Sequence, residues 1–274
     1  LAALALWQAA TLGAAVATAA RIVPGRATIL AVLAAPATFV CLGHGQNAFL
    51  TASLLTGGLW LLDRRPIAAG LLLGCLVYKP QFALLLPVIL LAAGNWRAIA
   101  GAAASSLTLV AVTLLLWGWP VWQAFIDSLP LTRSIVIEQG QTGWAKIVSA
   151  FSAARALGAP VSLAYAVQGC ATALAIAGAA AAARWASPAV RGAAACAAAL
   201  LSTPYVLDYD LVIAGGAILF LVVDAQARGW LAYEKSLLAL AYLAPLAGRQ
   251  IAEATLVPVD WLATVALFAL AMRR

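Results

Sequence analysis

Charged side chains are scarce in this sequence: Asp, Glu, Lys and Arg together make up 9% of 274 residues, against roughly 25% in a soluble domain. That shortage excludes a water-soluble globule, because a core of this length needs a polar surface to enclose it. Histidine occurs once, which excludes a His-based metal cluster. The four cysteines, Cys41, Cys75, Cys170 and Cys196, lie in apolar stretches with no CxxC pair, so they read as packing residues. There is no phosphate-binding glycine loop, zinc motif or G-x-S-x-G elbow with which to handle a soluble nucleotide or build a serine hydrolase. No internal repeat is visible.

What is there is apolar: 65% of the residues are hydrophobic. The expected fold class is therefore all-α, a polytopic integral membrane protein of about nine to eleven transmembrane or half-spanning helices, treated as a single domain over 1–274. The chain opens at Leu1 on an apolar run without a basic n-region, which reads as a spanning helix of a chain truncated at its N-terminus, not as a signal peptide. Spans are expected at 1–20, 27–42, 48–62, 98–117, 161–183, 236–247 and 254–272. Two pairs of short helices, 67–77 with 82–93 and 192–201 with 211–223, each meet at a polar bend. The longest polar region is expected from Gly118 to about Pro160. Within it Thr142 would cap an amphipathic surface helix carrying Trp144, Ile147, Val148 and Phe151 on one face.

The net charge of +7 comes from Lys and Arg placed singly or in pairs between apolar runs, a distribution that speaks for topology and against nucleic acid. With basic loops held inside, alternation puts eleven of the 16 Lys and Arg on the cytoplasmic side and leaves Lys79, Arg133, Lys146, Arg155 and Arg249 outside. The same alternation brings every unusual polar cluster to the extracytoplasmic side. Seven tryptophans near span ends, Trp7, Trp60, Trp96, Trp117, Trp119, Trp122 and Trp230, read as interfacial anchors.

Those clusters are the candidates for function, since groups too polar for hydrocarbon persist there only at an interface, in a wet cavity or against a ligand. His44, Gln46 and Asn47, flanked by Gly43 and Gly45, offer an imidazole and two amides that suit sugar hydroxyls; an ordinary turn is the alternative. Lys79, before Pro80 and Gln81, could set a point charge against a phosphate or simply snorkel to the headgroups. Asp208 and Asp210, beside Tyr205 and Tyr209, could act as general base, bind a cation, pair with Lys79 or Arg249, or cap a helix. Glu138, Gln139, Gln141 and Lys146 could line a cavity mouth or be solvated loop residues.

Three segments in order, GHGQNAFLTASLL, DRRPIAAGLLLGCLVYKPQFALLLPVILL and STPYVLDYDLV, closely resemble glycosyltransferase family 87, bacterial membrane proteins of the GT-C superfamily related to polyprenol-phosphate-mannose-dependent mannosyltransferases. The resemblance implies a bacterial inner-membrane hexosyltransferase. It would move a sugar, mannose by analogy, from a polyprenyl-phosphate donor to a glycan or glycolipid acceptor outside the cytoplasm, with inversion. Membrane lipid is implied as its surroundings, and neither nucleic acid nor a resident cofactor as a partner; the resemblance leaves any metal requirement open. It also implies an acidic base in a first outer loop, and no Asp or Glu precedes Leu30, so the base is expected upstream of Leu1 and the chain as it stands would be inactive. Within the chain, Lys79 is then assigned to the donor phosphate, His44, Gln46, Asn47 and Gln81 to sugar or phosphate contacts, with Tyr205 and Tyr209 beside them, and Asp208 and Asp210 to support of the site. Two rivals stand beside this reading: a secondary transporter built on broken helices, and a non-catalytic scaffold.

Overall fold

The computed structural model describes residues 1–274 and is all-α: helices and short tight turns, without a sheet. Four helical segments are long and apolar enough to cross a membrane, Ala2–Ile22, Trp96–Glu138, Val161–Trp185 and Asp208–Arg228, and a bent pair makes a fifth. The chain is a polytopic membrane protein.

In chain order the helices are α1 (Ala2–Ile22), α2 (Arg26–Ala34), α3 (Pro36–His44), α4 (Ala48–Leu61), α5 (Pro66–Gly74), α6 (Pro80–Ala83), α7 (Leu86–Ala92), α8 (Trp96–Thr132), α9 (Ala150–Ala156), α10 (Val161–Trp185), α11 (Pro188–Leu201), α12 (Val212–Arg228), α13 (Glu234–Thr255) and α14 (Val259–Arg273). The centre is α11, buried on all sides from Val190 to Leu201 and packed against α4, α10, α12 and α14. Its alanines let neighbours approach closely, which is how helices associate where apolar burial gives no preference for protein over lipid. The same logic joins α5 to α8. A Cβ at Gly70 would overlap the Ala98 carbonyl, one at Gly101 would meet that of Ile67, and the Ser106 hydroxyl donates to the Gly74 carbonyl at 2.9 Å.

The expected spans at 1–20 and 161–183 are present as α1 and α10; 48–62 forms α4, an apolar helix of 14 residues, and polar bends separate α5 from α6 and α11 from α12, of which the last belongs to a segment long enough to cross a membrane. Four expectations fail. The span at 27–42 is broken by 50° between α2 and α3, because Pro36 starts a new helix after the extended Ala35. The region after Gly118 is not a loop: the chain turns at Gly118 (φ 72°), then stays helical through Thr132 and in a wider turn over Arg133–Glu138. A helix of that length would run about 65 Å if straight, twice a bilayer core, so the turn at Gly118 is needed.

The surface helix predicted from Thr142 is also absent. Residues Trp144–Lys146 form one tight turn, Ile147 and Val148 are extended and buried, and α9 begins after Ser149, which makes a capping box with Ser152. The apolar stripe is real but faces protein: Val148 donates its N–H to the Val206 carbonyl at 2.8 Å, and Phe151 is fully buried. Finally, Gly248-Arg249-Gln250 does not separate two spans. It lies inside the continuous α13, where Arg249 is tolerated because Glu253 and Asp208 face it.

Candidate active site

The loop between α11 and α12 carries the centre of the polar cluster. Pro204 ends helical continuity after α11, Leu207 is extended, and Asp208–Leu211 form a tight turn into α12. The Asp210 carboxylate folds back to accept the Leu207 N–H at 3.2 Å, and that of Asp208 accepts the N–H of Tyr209 at 2.9 Å, so both acids are fixed by local backbone. An isolated bridge pairs Leu207 with Ile147, which ties the loop to the segment ahead of α9.

Around this turn three other parts of the chain converge. Gly45 adopts φ 63° and caps α3, which leaves His44 at the helix end against the turn. Its Nδ1 donates to the Val40 carbonyl at 2.8 Å, and its Nε2 lies 4.0 Å from Asp208 Oδ1. From α13, Arg249 Nη1 lies 3.8 Å from Asp208 Oδ2 while its Nε donates to Glu253 at 3.0 Å. Lys79, at the bend between α5 and α6, donates to Asp210 Oδ1 at 2.6 Å. The Tyr209 ring stands between these groups, its centre 5.3 Å from Lys79 Nζ and 5.6 Å from the His44 ring.

The structure brings His44, Lys79, Asp208, Tyr209, Asp210 and Arg249 together at one end of the helices. Lys79 is buried and tied to Asp210, whereas Arg249 is half-exposed and hydrogen-bonded to Glu253 with Asp208 facing it. Asn47 lies at the same end, with its side-chain oxygen buried and unpartnered. Gln46 lends its backbone carbonyl to the Gln8 amide at 2.9 Å. Tyr205 is half-buried, and burial, then the Asp210 charge, push its phenol above the usual range. Gln81 follows Lys79 on the short α6, partly exposed. Glu138, Gln139 and Gln141 do not join the cluster: Glu138 pairs with Arg133 and Tyr165, and the two glutamines bond to Ser134 and each other.

Sequence reasoning missed Gln8 and the Thr51–Tyr78 hydroxyl pair, 2.6 Å apart beside Asn47. The pairings offered for the two acids, with Lys79 and with Arg249, both form. Gln8 carried a signal, an amide inside an apolar helix; the hydroxyl pair carried none, because it is made across a chain separation of 27 residues.

Directly beneath the cluster lies an apolar cavity of about 270 Å³ between α1, α2, α4, α12 and α13. Leu211 and Val212, immediately after Asp210, form one part of its wall, and Pro245, one turn before Arg249, another. Gly215 is exposed on it, with open space where a side chain would project. Charged groups at one end and an apolar hollow next to them can accommodate an amphiphile.

No curated protein and no solved structure matches the chain. The model of glycosyltransferase family 87 matches residues 1–207, three quarters of the sequence and all of the polar cluster except Asp208, Tyr209, Asp210 and Arg249. The chain belongs to glycosyltransferase family 87.

Proposed function

We propose that this membrane glycosyltransferase takes a hexose, mannose by analogy with its family, from a polyprenyl-phosphate donor and transfers it to a glycan or glycolipid acceptor on the extracytoplasmic face of a bacterial inner membrane. The observation that carries the reading is the apolar cavity set directly under a cluster with one half-exposed guanidinium. A lipid phosphate needs both halves. Sidedness is supported by the Lys and Arg count, which leaves the cluster on the side poor in basic loops.

In this reading the lipid tail lies in the cavity along Leu211, Gly215 and Ala241, and the phosphate lies at Arg249, with His44 Nε2 beside it. The acceptor hydroxyl attacks the anomeric carbon; the bond from that carbon to the phosphate oxygen breaks, its electron pair stays on the phosphate, and the hydroxyl proton passes to a carboxylate base. Arg249 stabilises the leaving phosphate as its charge grows. Lys79 and Asp210 hold the turn that sets Asp208 against Arg249 and His44. We assign the base to neither acid of the turn, since Asp210 is tied to Lys79 and Asp208 lies between Arg249 and His44.

The test uses the full-length protein, purified into liposomes, with radiolabelled polyprenyl-phosphate mannose and a glycolipid acceptor extract. Label should move to the acceptor with release of polyprenyl phosphate, and Arg249→Ala should slow that transfer without lowering the thermal midpoint. Donor-independent uptake of a free sugar, with no transfer, would replace the reading by a transporter.

A further inference from the structure

Beyond the turn at Gly118, the second half of α8 has almost no protein neighbour. Every residue over 119–131 except Trp122 is exposed, the large apolar side chains of Trp119, Phe125, Ile126 and Leu129 among them. Its one side-chain hydrogen bond to the rest of the chain is made by the Trp122 indole, which donates to the Thr113 hydroxyl at 3.2 Å across the turn. A single helix this short is marginal in water, so its surroundings must help to hold it.

The sequence of the helix narrows what those surroundings are. Trp122, Phe125, Ile126 and Leu129 recur at i, i+3, i+4 and i+7 as one apolar stripe. Ala124, Asp127 and Ser128 fall on the other side, with Leu131 the one large apolar residue among them, and Asp127 is the one charged residue in 119–132. Bulk water would bathe the stripe, and the hydrocarbon core would receive an unpaired carboxylate. The headgroup layer suits both faces.

Position agrees with that. The half of α8 that leads into Gly118 faces lipid, with Leu115 and Leu116 exposed, so the stripe continues a surface that already meets acyl chains. Trp117 and Trp119 flank the turn, both exposed, and tryptophans at a span end mark headgroup depth. After the wider turn that follows, Ile137 packs with Phe151 in a small cluster that Tyr205 of the site loop also joins, so the chain re-enters the protein at the level of the polar cluster. No cation lies on the helix, and Arg133 just past it is held by Glu138 at 2.7 Å. We propose that 119–132 is an interfacial helix, lying in the headgroup layer beside the polar cluster with its stripe toward the acyl chains, and held there by apolar depth instead of attraction to anionic lipid. The inference is independent of the transferase reading.

Site-directed spin labelling in nanodiscs tests it. In the full chain with its four cysteines replaced by Ala, nitroxides are attached at Ile126→Cys, Leu129→Cys, Ala124→Cys and Asp127→Cys, one at a time, and probed with oxygen and with a water-soluble nickel chelate. The first two labels should favour oxygen and report a depth of about 5–10 Å. The last two should favour nickel, and the alternation should be the same in phosphatidylcholine alone as with phosphatidylglycerol added. Hydroxyl-radical footprinting of the unsubstituted protein needs no cysteine replacement and should protect Phe125 and Leu129 while oxidising Leu131. All four labels in water, all four in hydrocarbon, or a stripe shielded from both reagents overturns the proposal, the last in favour of a second copy or another protein on that face. Alternation found only with phosphatidylglycerol overturns it as well.

Discussion

Two charge networks stand at opposite ends of α12, about 20 Å apart by helical rise, and they are built to different standards. At the far end Arg274 donates to Asp224 at 2.8 Å, to Glu234 through both Nε and Nη2, and to the Gly229 carbonyl at 3.0 Å. Asp224 also accepts from Ser187 at 2.8 Å and faces Arg228 at 3.4 Å, and Glu234 accepts the Leu231 N–H at 2.9 Å. The side chains of Arg274, Asp224 and Glu234 are all buried, and each has its partners. At the near end Lys79 is joined tightly to Asp210 and Arg249 to Glu253, while Asp208 has Arg249 at 3.8 Å and His44 at 4.0 Å, beyond hydrogen-bond length. Gln8, Asn47 and Asp260 keep buried oxygens with no partner. A network whose members are all hydrogen-bonded has no group left for a ligand, and the looser one is the better candidate for a site.

Breaking each end in turn should show the difference, beginning with the largest effect. Arg249→Ala should lower transfer about 100-fold, the scale of losing one group that stabilises developing charge, with the thermal midpoint in detergent held within a few degrees. Arg274→Ala should do the opposite: a loss of about 3 kcal/mol of stability, the low end for a broken buried pair because the network sits at the membrane boundary. Surviving protein should keep its KM values. An Arg274 variant that is stable but inactive would show that the two ends do not divide the work in this way.

Lys79 sits between the two classes and so sharpens the comparison. If its pairing with Asp210 is structural, Lys79→Ala should cost about 3 kcal/mol, and Lys79→Met combined with Asp210→Asn should recover most of it; recovery of the thermal midpoint without recovery of transfer would return Lys79 to the donor phosphate. A smaller effect is expected in the apolar cavity, where Gly215→Leu fills open space and should raise the donor KM several-fold, read from initial rates at fixed acceptor. Smallest is Ser149→Ala, which removes the α9 cap and should cost about 1 kcal/mol by thermal unfolding, with little change in rate.

The ease of reading the sequence followed the same division. Long apolar runs, single basic residues between them and the proline-marked bends at Pro80 and Pro204 carry their meaning locally, so most helices and the gathering of polar groups at one end were legible. Misreadings came where burial by distant segments decided the outcome. Ile147, Val148 and Phe151 look like one face of a surface helix until the Val206 carbonyl and the core claim them. Arg249 looks like a loop residue until Asp208, from another helix end, shares its charge. Asp260 was passed over among apolar neighbours although a lone acid in a membrane helix is itself a signal.

What the sequence determined by itself was the solvent: with 9% charged residues the chain has no choice but lipid, and hydrocarbon leaves helices as the way to satisfy the backbone. What only the tertiary structure decided was which polar groups are spoken for. Partnership is a matter of distance between residues far apart in the chain, 131 positions in the case of Lys79 and Asp210, and no local pattern encodes it. The fold thereby ties Lys79 to Asp210 and brings Arg249, from α13, to Asp208.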